Sequence, residues 1–510
     1  MSRLADEEPL DEEPLGEQPP GDSPAVQKET PLPWSQLGPL LAIRLAEPVN
    51  MTLCMPFLYK MIESFDIAKG PEDVPFYAGL LLMSYSLCQA VPTMYWGVLS
   101  DRIGRRPVLL IGLTGDLVTF VLFGLSKSFT WALVTRSLNG IFAGNSAVVK
   151  SVVVEVADDT NRPRMVALLP LMWNVGVIAG SAVGGLLADP VTQYPSIFGS
   201  WEIFREYPYL LPCLAGSLTT ALGLVVGLFK LKETLVVGPA ASAQDEAATE
   251  ATPLVATPIA DRAQSRSMLS LLTPTCRRVL ALNVLMCLAI SMYYHIYSMF
   301  TASPSRDGGL GLSERSIGIS LAISSVVVLY MQLVAYSKLT LKYGALKCCQ
   351  IGLQIMIPVF FAIPWLTMLA SHIEQSMSGF GDRQPGPWPR QATLEYCVLW
   401  ALLLLLLAVR MVGDILAFTS INLIVSNIAP SAASLGAMNG MQQFTGTCTR
   451  VVGPVVSGAL WGWSVKHEHI YPFNSHLVWV LCGLLIAASW QLSLRLPSSV
   501  NVFASGQGQQ

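Results

Sequence analysis

The sequence predicts an all-α integral membrane protein whose twelve transmembrane helices form two six-helix pseudo-repeats. Three observations carry this reading. Apolar runs recur along nearly the whole chain, each close to the roughly 20 residues a helix needs to cross a bilayer. Hydrophobic residues make up 52% of the 510 and charged residues only 13%, with mean hydropathy +0.51; a water-soluble surface of that size needs more charge. The second half also repeats the first. WGVLSDRIGRRPVLLIG at 96–112 aligns without a gap on YSKLTLKYGALKCCQIG at 336–352, TRSLNGIFA at 135–143 on VRMVGDILA at 409–417, and GSAVGGLLA at 180–188 on GPVVSGALW at 453–461. Matches in the same order are the mark of duplicated six-helix halves.

In chain order, residues 1–33 are acidic and proline-rich, with DEEPL written twice in succession, and read as a disordered cytoplasmic tail. They lack the basic-then-apolar pattern of a cleavable signal. Spans are expected over 39–59, 76–96, 108–125, 131–153, 165–188 and 210–229, forming an N-terminal bundle at 34–230. Residues 231–278 have no sustained apolar run and read as a flexible cytoplasmic linker. Spans resume over 279–300, 317–336, 346–370, 396–428, 435–465 and 473–494, giving a C-terminal bundle at 279–496 and a short tail at 497–510. Placing the 97–107 connection in the cytoplasm puts more lysine and arginine in the loops on that side, and both termini with them. The ten cysteines contain no CxxC pair and fall mostly in apolar runs, where cysteine acts as a small hydrophobe. No metal, cofactor or nucleic-acid partner is expected, and no nucleophile–base constellation or phosphate loop points to an enzyme.

The connection between the second and third spans reads GVLSDRIGRRP over 97–107. Gly97 and Gly104 permit close backbone approach or positive φ, and Asp101 among Arg102, Arg105 and Arg106 is placed to pair. This stretch resembles the signature loop of the major facilitator superfamily, which implies that superfamily's fold. The resemblance also implies a conformational gate: Asp101 facing the start of the eleventh span in the outward-open state, and Arg105 reaching Glu155 at the end of the fourth. RLAEPVNMTLCMPFLYKMI, LMWNVGVIAG and the segment around the loop further resemble the twelve-span drug:H+ antiporter group, in particular fungal members similar to plant zinc-induced facilitators, over about 34–500. That implies a monomeric secondary transporter of the plasma or vacuolar membrane, exporting a small organic molecule against protons by alternating access. A nutrient or metal-chelate facilitator or symporter, and a non-transporting receptor or scaffold on the same fold, are the competing readings.

Charges at membrane depth are costly and mark functional positions. Glu47 lies one helical turn after Arg44, so the two share a face. Glu47 either exchanges protons with the cargo, as the resemblance implies, or forms a structural pair with Arg44. Asp116 and Arg136 are the other proton-coupling candidates, Arg136 within RSLNGIFAG, whose Gly140 and Gly144 allow close helix approach. Arg410 and its neighbour Asp414, one turn on, are the repeat counterparts. Gly176, Gly180 and Gly184 form a ridge resembling the antiporter motif of the superfamily, with Ser181 where that motif has proline; Gly453-Pro454 keeps the proline in the second half. Arg44, Tyr293, Tyr294, His295, Arg410 and Asp414 are the substrate-cavity candidates, the tyrosines alternatively forming an interfacial belt. His467, His469 and His476 read as an unorganised loop rather than a metal site. Asn50-Met51-Thr52 is a formal glycosylation sequon placed inside a span, where it is unusable.

Overall fold

A computed structural model describes residues 30–158, 161–234, 273–378, 390–428, 432–466, 473–497 and 500. Most of the linker, the outer parts of both tails, and His467 and His469 lie outside the described residues. Among those described there is no strand, and helices occupy the position of every expected span.

Span 1 is Trp34–Leu53, span 2 Val74–Ile103, span 3 Arg105–Gly124, span 5 Arg162–Leu187 and span 6 Leu210–Lys230. Span 4, expected as one helix, is two: Phe129–Phe142 and Asn145–Val156. In the second half, span 7 is Pro274–Ala302, span 10 Arg390–Asn427, span 11 Ala432–Lys466 and span 12 Leu477–Leu494. Span 8 runs from Glu314–Tyr330 through a π-helical turn, Met331–Ala335, and on to Tyr343. Span 9 bends at Pro364, whose missing N–H interrupts the ladder between Ala345–Ala362 and Leu366–Ser378. Among the described residues, nine helices are long and apolar enough to cross a membrane by length and composition. Spans 1, 4 and 11 fall short of that measure. Span 4 falls short because it is divided into helices of 14 and 12 residues; spans 1 and 11 carry Arg44 and Glu47, and Gln442, Gln443 and Arg450, polar residues that lower their hydropathy.

The repeat is visible in the backbone. Gly104 and Gly344, aligned by sequence, both take positive φ, 104° and 80°, at the corner between two consecutive helices. Side chains rarely adopt that conformation, so glycine is required at each corner. Span 5 lies on span 1 through Gly176, Gly180 and Gly184, which face Pro48, Val49 and the Leu53 carbonyl. The equivalent Gly453 of span 11 faces Ser291 and Met292 of span 7. Gly140 and Gly144 bring span 4 against Tyr85 and Trp96 of span 2.

Two seams join the halves: span 2 against span 11 and span 5 against span 8. A Cβ added at Gly79 would meet the Pro454 carbonyl at 2.5 Å, and one at Gly185 would meet Gly318 at 2.7 Å. Gly458 and Gly462 abut Pro75 and Glu72 in the same way. All these contacts lie on the side away from the 97–107 loop. Towards the loop, Gly97, Gly440 and Gly446 have nothing within 4 Å of an added Cβ. At these glycines the halves touch on one side and stand apart on the loop side, where the side chains of Asn174 and Gln332 still meet.

Gly184→Ala should therefore lower thermal stability, because its methyl would run into backbone of span 1; overpacking of this kind costs about 1–3 kcal/mol. Gly446→Ala should leave stability unchanged. Unfolding of the detergent-purified protein followed by tryptophan fluorescence compares the two.

Candidate transport site

A cavity of about 340 Å³ lies between the halves, within the size range of small-molecule sites. Spans 1, 2, 4, 5, 7, 8, 10 and 11 line it; spans 3, 6, 9 and 12 stand behind. Met51, Met55, Leu82, Ile290, Met411 and Phe418 give an apolar wall, while Asn283, Asn422, Gln442 and Gln443 make a polar flank towards the loop side. Gln442 donates to Asn422 at 2.6 Å, tying spans 10 and 11 together there.

Of the six residues expected to face substrate, Tyr294, His295 and Asp414 line the cavity. The other three are corrected. Tyr293 is fully buried behind the wall, packed on Tyr297, Phe360 and Trp479. Arg410 is likewise fully buried, its guanidinium 3.5 Å from the Tyr293 ring centre and paired with Asp414. Arg44 pairs with Glu47 and lies 5.1 Å from the ring of Trp173, which is itself a lining residue. The tyrosines sit in the protein interior, not in an interfacial belt. His295 Nδ1 shares a 2.8 Å hydrogen bond with Ser457, pinning span 7 to span 11.

The proton-coupling candidates form a second site beside the cavity. Asp116 is buried and accepts three hydrogen bonds: from Asn50 Nδ2 at 2.6 Å, Asn139 Nδ2 at 2.7 Å and Thr220 Oγ1 at 3.0 Å. Arg136 makes no ion pair with it. Its Nη1 donates to Asn139 Oδ1 at 3.4 Å, so Asn139 relays between cation and carboxylate. The guanidinium otherwise lies 4.5 Å from the Tyr85 ring centre and reaches the backbone carbonyls of Asn50 and Met51. Glu47, besides Arg44, accepts from Gln89 Nε2 at 2.9 Å. Sequence reasoning missed Asn50, Gln89, Asn139 and Thr220. Asn50 was visible only as a dead sequon; an amide at membrane depth was itself the signal.

The loop forms a third cluster. Arg105 reaches Glu155 at 2.9 Å and Asp101 at 2.5 Å. Asp101 is otherwise open to solvent. Glu233, just past span 6, accepts from the backbone N–H groups of Arg105 and Arg106 at 2.8 and 3.1 Å. An anion there satisfies otherwise unpartnered donors and favours the positive end of the span 3 dipole. Arg106 ties back to the Leu228 carbonyl at 2.6 Å. Arg102 is exposed.

Two pseudo-repeated halves around a cavity of mixed polarity, shut on one side, define a polytopic secondary transporter. The chain belongs to the Major Facilitator Superfamily, whose family model matches residues 40–382. It is 30% identical to "Protein ZINC INDUCED FACILITATOR-LIKE 1" of Arabidopsis thaliana, covering 86% of each chain. It is 25% identical to "Major facilitator superfamily multidrug transporter mfsB" of Aspergillus fumigatus, over 89% of this chain and 82% of that one. Among solved structures, a D-xylose–proton symporter at 14% identity superposes with a TM-score of 0.63, covering 91% of this chain and 98% of that one, which shows the shared fold. The protein is a membrane transporter and not an enzyme.

Asn139→Ala should remove a donor from the buried Asp116 and an acceptor from Arg136, lowering stability by about 1–3 kcal/mol. Ser137→Ala, which loses only a bond to its own helix, serves as the control. Thermal unfolding measures the difference.

Proposed function

We propose that the protein is a proton-coupled exporter of small organic molecules, with Glu47 as the proton-carrying carboxylate and Asp116 as its buried partner. The observation that carries this is a crevice of about 20 Å³ between spans 1, 3 and 4, lined by Arg44, Glu47 and Asp116. It is large enough for about one water molecule, which needs at least ~10–15 Å³. A proton can thus pass between the two carboxylates without entering the cargo cavity.

The coupling to cargo follows from Arg44. Unprotonated Glu47 holds Arg44 by charge; protonated Glu47 does not. Arg44 lies against Trp173, a wall residue of the cavity, so the change reaches the cargo site through one side chain. Relatives named as a multidrug transporter and as an efflux pump support the direction of transport. On this reading the loop side is cytoplasmic, both termini with it, the state described is inward-open, and the carrier works as a monomer in the plasma or vacuolar membrane. The Asp101, Arg105, Glu155 and Glu233 cluster then acts as the gate that rearranges when the cytoplasmic side closes.

The test is flux into sealed vesicles with an acidic lumen and the loop side outward, using a library of fluorescent drugs and labelled metabolites. The gradient should drive uptake of some cargo, and Glu47→Gln should abolish that uptake while leaving gradient-independent cargo exchange. Cargo movement indifferent to the gradient in the native protein would mean a uniporter and end the antiport reading.

A further inference from the structure

The ionic side chains at membrane depth can be paired off. Arg44 is matched by Glu47 and Arg410 by Asp414. Arg136 is matched by Asp116 through Asn139. Two cations remain, Lys150 of span 4 and Arg450 of span 11. Arg450 lines the cavity, and its recorded bond is to Thr447 Oγ1 of its own helix, at 3.1 Å. Lys150 is exposed on the loop-side piece of span 4. Among the described residues neither has a carboxylate within ion-pair distance. Lys150 is not among the residues that line the cavity, so Arg450, from the C-terminal half, is the unmatched positive charge that faces it.

An unmatched charge at this depth is costly. An anion held against Arg450 would remove that cost. We propose that the cavity selects organic anions, with Arg450 binding the carboxylate or phosphate group of the cargo. The apolar wall at Met51, Met55, Leu82 and Phe418 takes the organic body. This specifies the cargo class and rests on the transporter reading above. It also supplies a guard against slippage: without an anion, closing the loop side dries the space around an unmatched Arg450, so the empty carrier stays open.

Xanthene dyes that share a ring system and differ in charge test this in the full-length protein in sealed vesicles with an acidic lumen. Fluorescein, anionic, should be taken up, and rhodamine 123, cationic, should not. Arg450→Ala should raise the fluorescein KM at least about tenfold, since it removes one side of a charged contact. Arg450→Lys should restore part of the loss, and thermal unfolding should show both variants folded. Rhodamine carried in preference, or fluorescein uptake unchanged in Arg450→Ala, overturns the anion site while gradient-driven flux keeps the antiporter. Neither dye moving, while another cargo of the library is driven by the gradient, likewise overturns the anion site alone. No gradient-driven flux of any cargo overturns the antiporter reading instead.

Discussion

A charge held at membrane depth must find its counter-charge inside the bundle, because neither lipid nor bulk water is there to solvate it. The interior of this protein is arranged around that constraint. Each half carries one buried arginine at an equivalent position, Arg136 and Arg410, and each is laid against tyrosine of its own half, 4.5 Å from Tyr85 and 3.5 Å from Tyr293. The halves then solve the counter-charge differently. In the second, the acid sits one turn along the same helix, at Asp414. In the first, that position is Gly140, which span 4 needs for its approach to Tyr85. The acid comes instead from span 3, as Asp116, with Asn139 bridging. A direct pair is self-contained. A bridged pair fed by amides and hydroxyls from spans 1, 4 and 6 is open to change when any of those helices moves.

Packing and motion follow from the small residues. Within each half, glycines hold span 5 on span 1 and span 11 on span 7 in close contact, so each half is tightly packed within itself. Between the halves, glycines come to backbone contact on the side away from the 97–107 loop, at Gly79, Gly185, Gly458 and Gly462. Small residues at a seam allow two bodies to rock without large side chains having to pass one another. Beyond the seam, the Asn174–Gln332 hydrogen bond joins spans 5 and 8 across the cavity mouth. It is polar and can break and re-form at small cost.

The fold was legible because membrane physics leaves a strong mark on sequence: length and apolarity locate spans, and duplicated motifs such as the glycine corners at 104 and 344 identify halves. The break in span 4 was not legible. Its helix ends at Phe142 and restarts at Asn145, and the Gly144 there reads in sequence only as a packing residue. In the site, charged residues announced themselves individually, but which of them face the cavity depends on helix rotation. Tyr293 and Tyr294 are adjacent in sequence and end on opposite sides of the cavity wall. Neutral donors around Asp116 were harder still. Asn50, Asn139 and Thr220 are ordinary residues until three helices bring them to one carboxylate. Glu233 lay in what reads as linker, and only the turn of span 3 towards the end of span 6 gives it a partner.

The loop cluster and the unmatched cation bear together on closure. With the loop side open, Asp101 is turned to Arg105 and to solvent, and Arg450 lines the cavity without a carboxylate partner. In the proposed cycle, closing that side brings Asp101 to the start of span 11, a favourable contact of an acid with a helix N-terminus. It also shrinks and dries the space around Arg450, which is unfavourable for a cation without a counter-ion. For the empty carrier these oppose one another. With an anion on Arg450 both favour closure, and the closed state of the proposed cycle is reached only with cargo aboard. In the same proposal, protonation of Glu47 frees Arg44 and adds positive charge beside the cavity wall, which opposes closure and drives the return to the open state. Proton and anion therefore push the same movement in opposite directions, which is what exchange of one for the other requires.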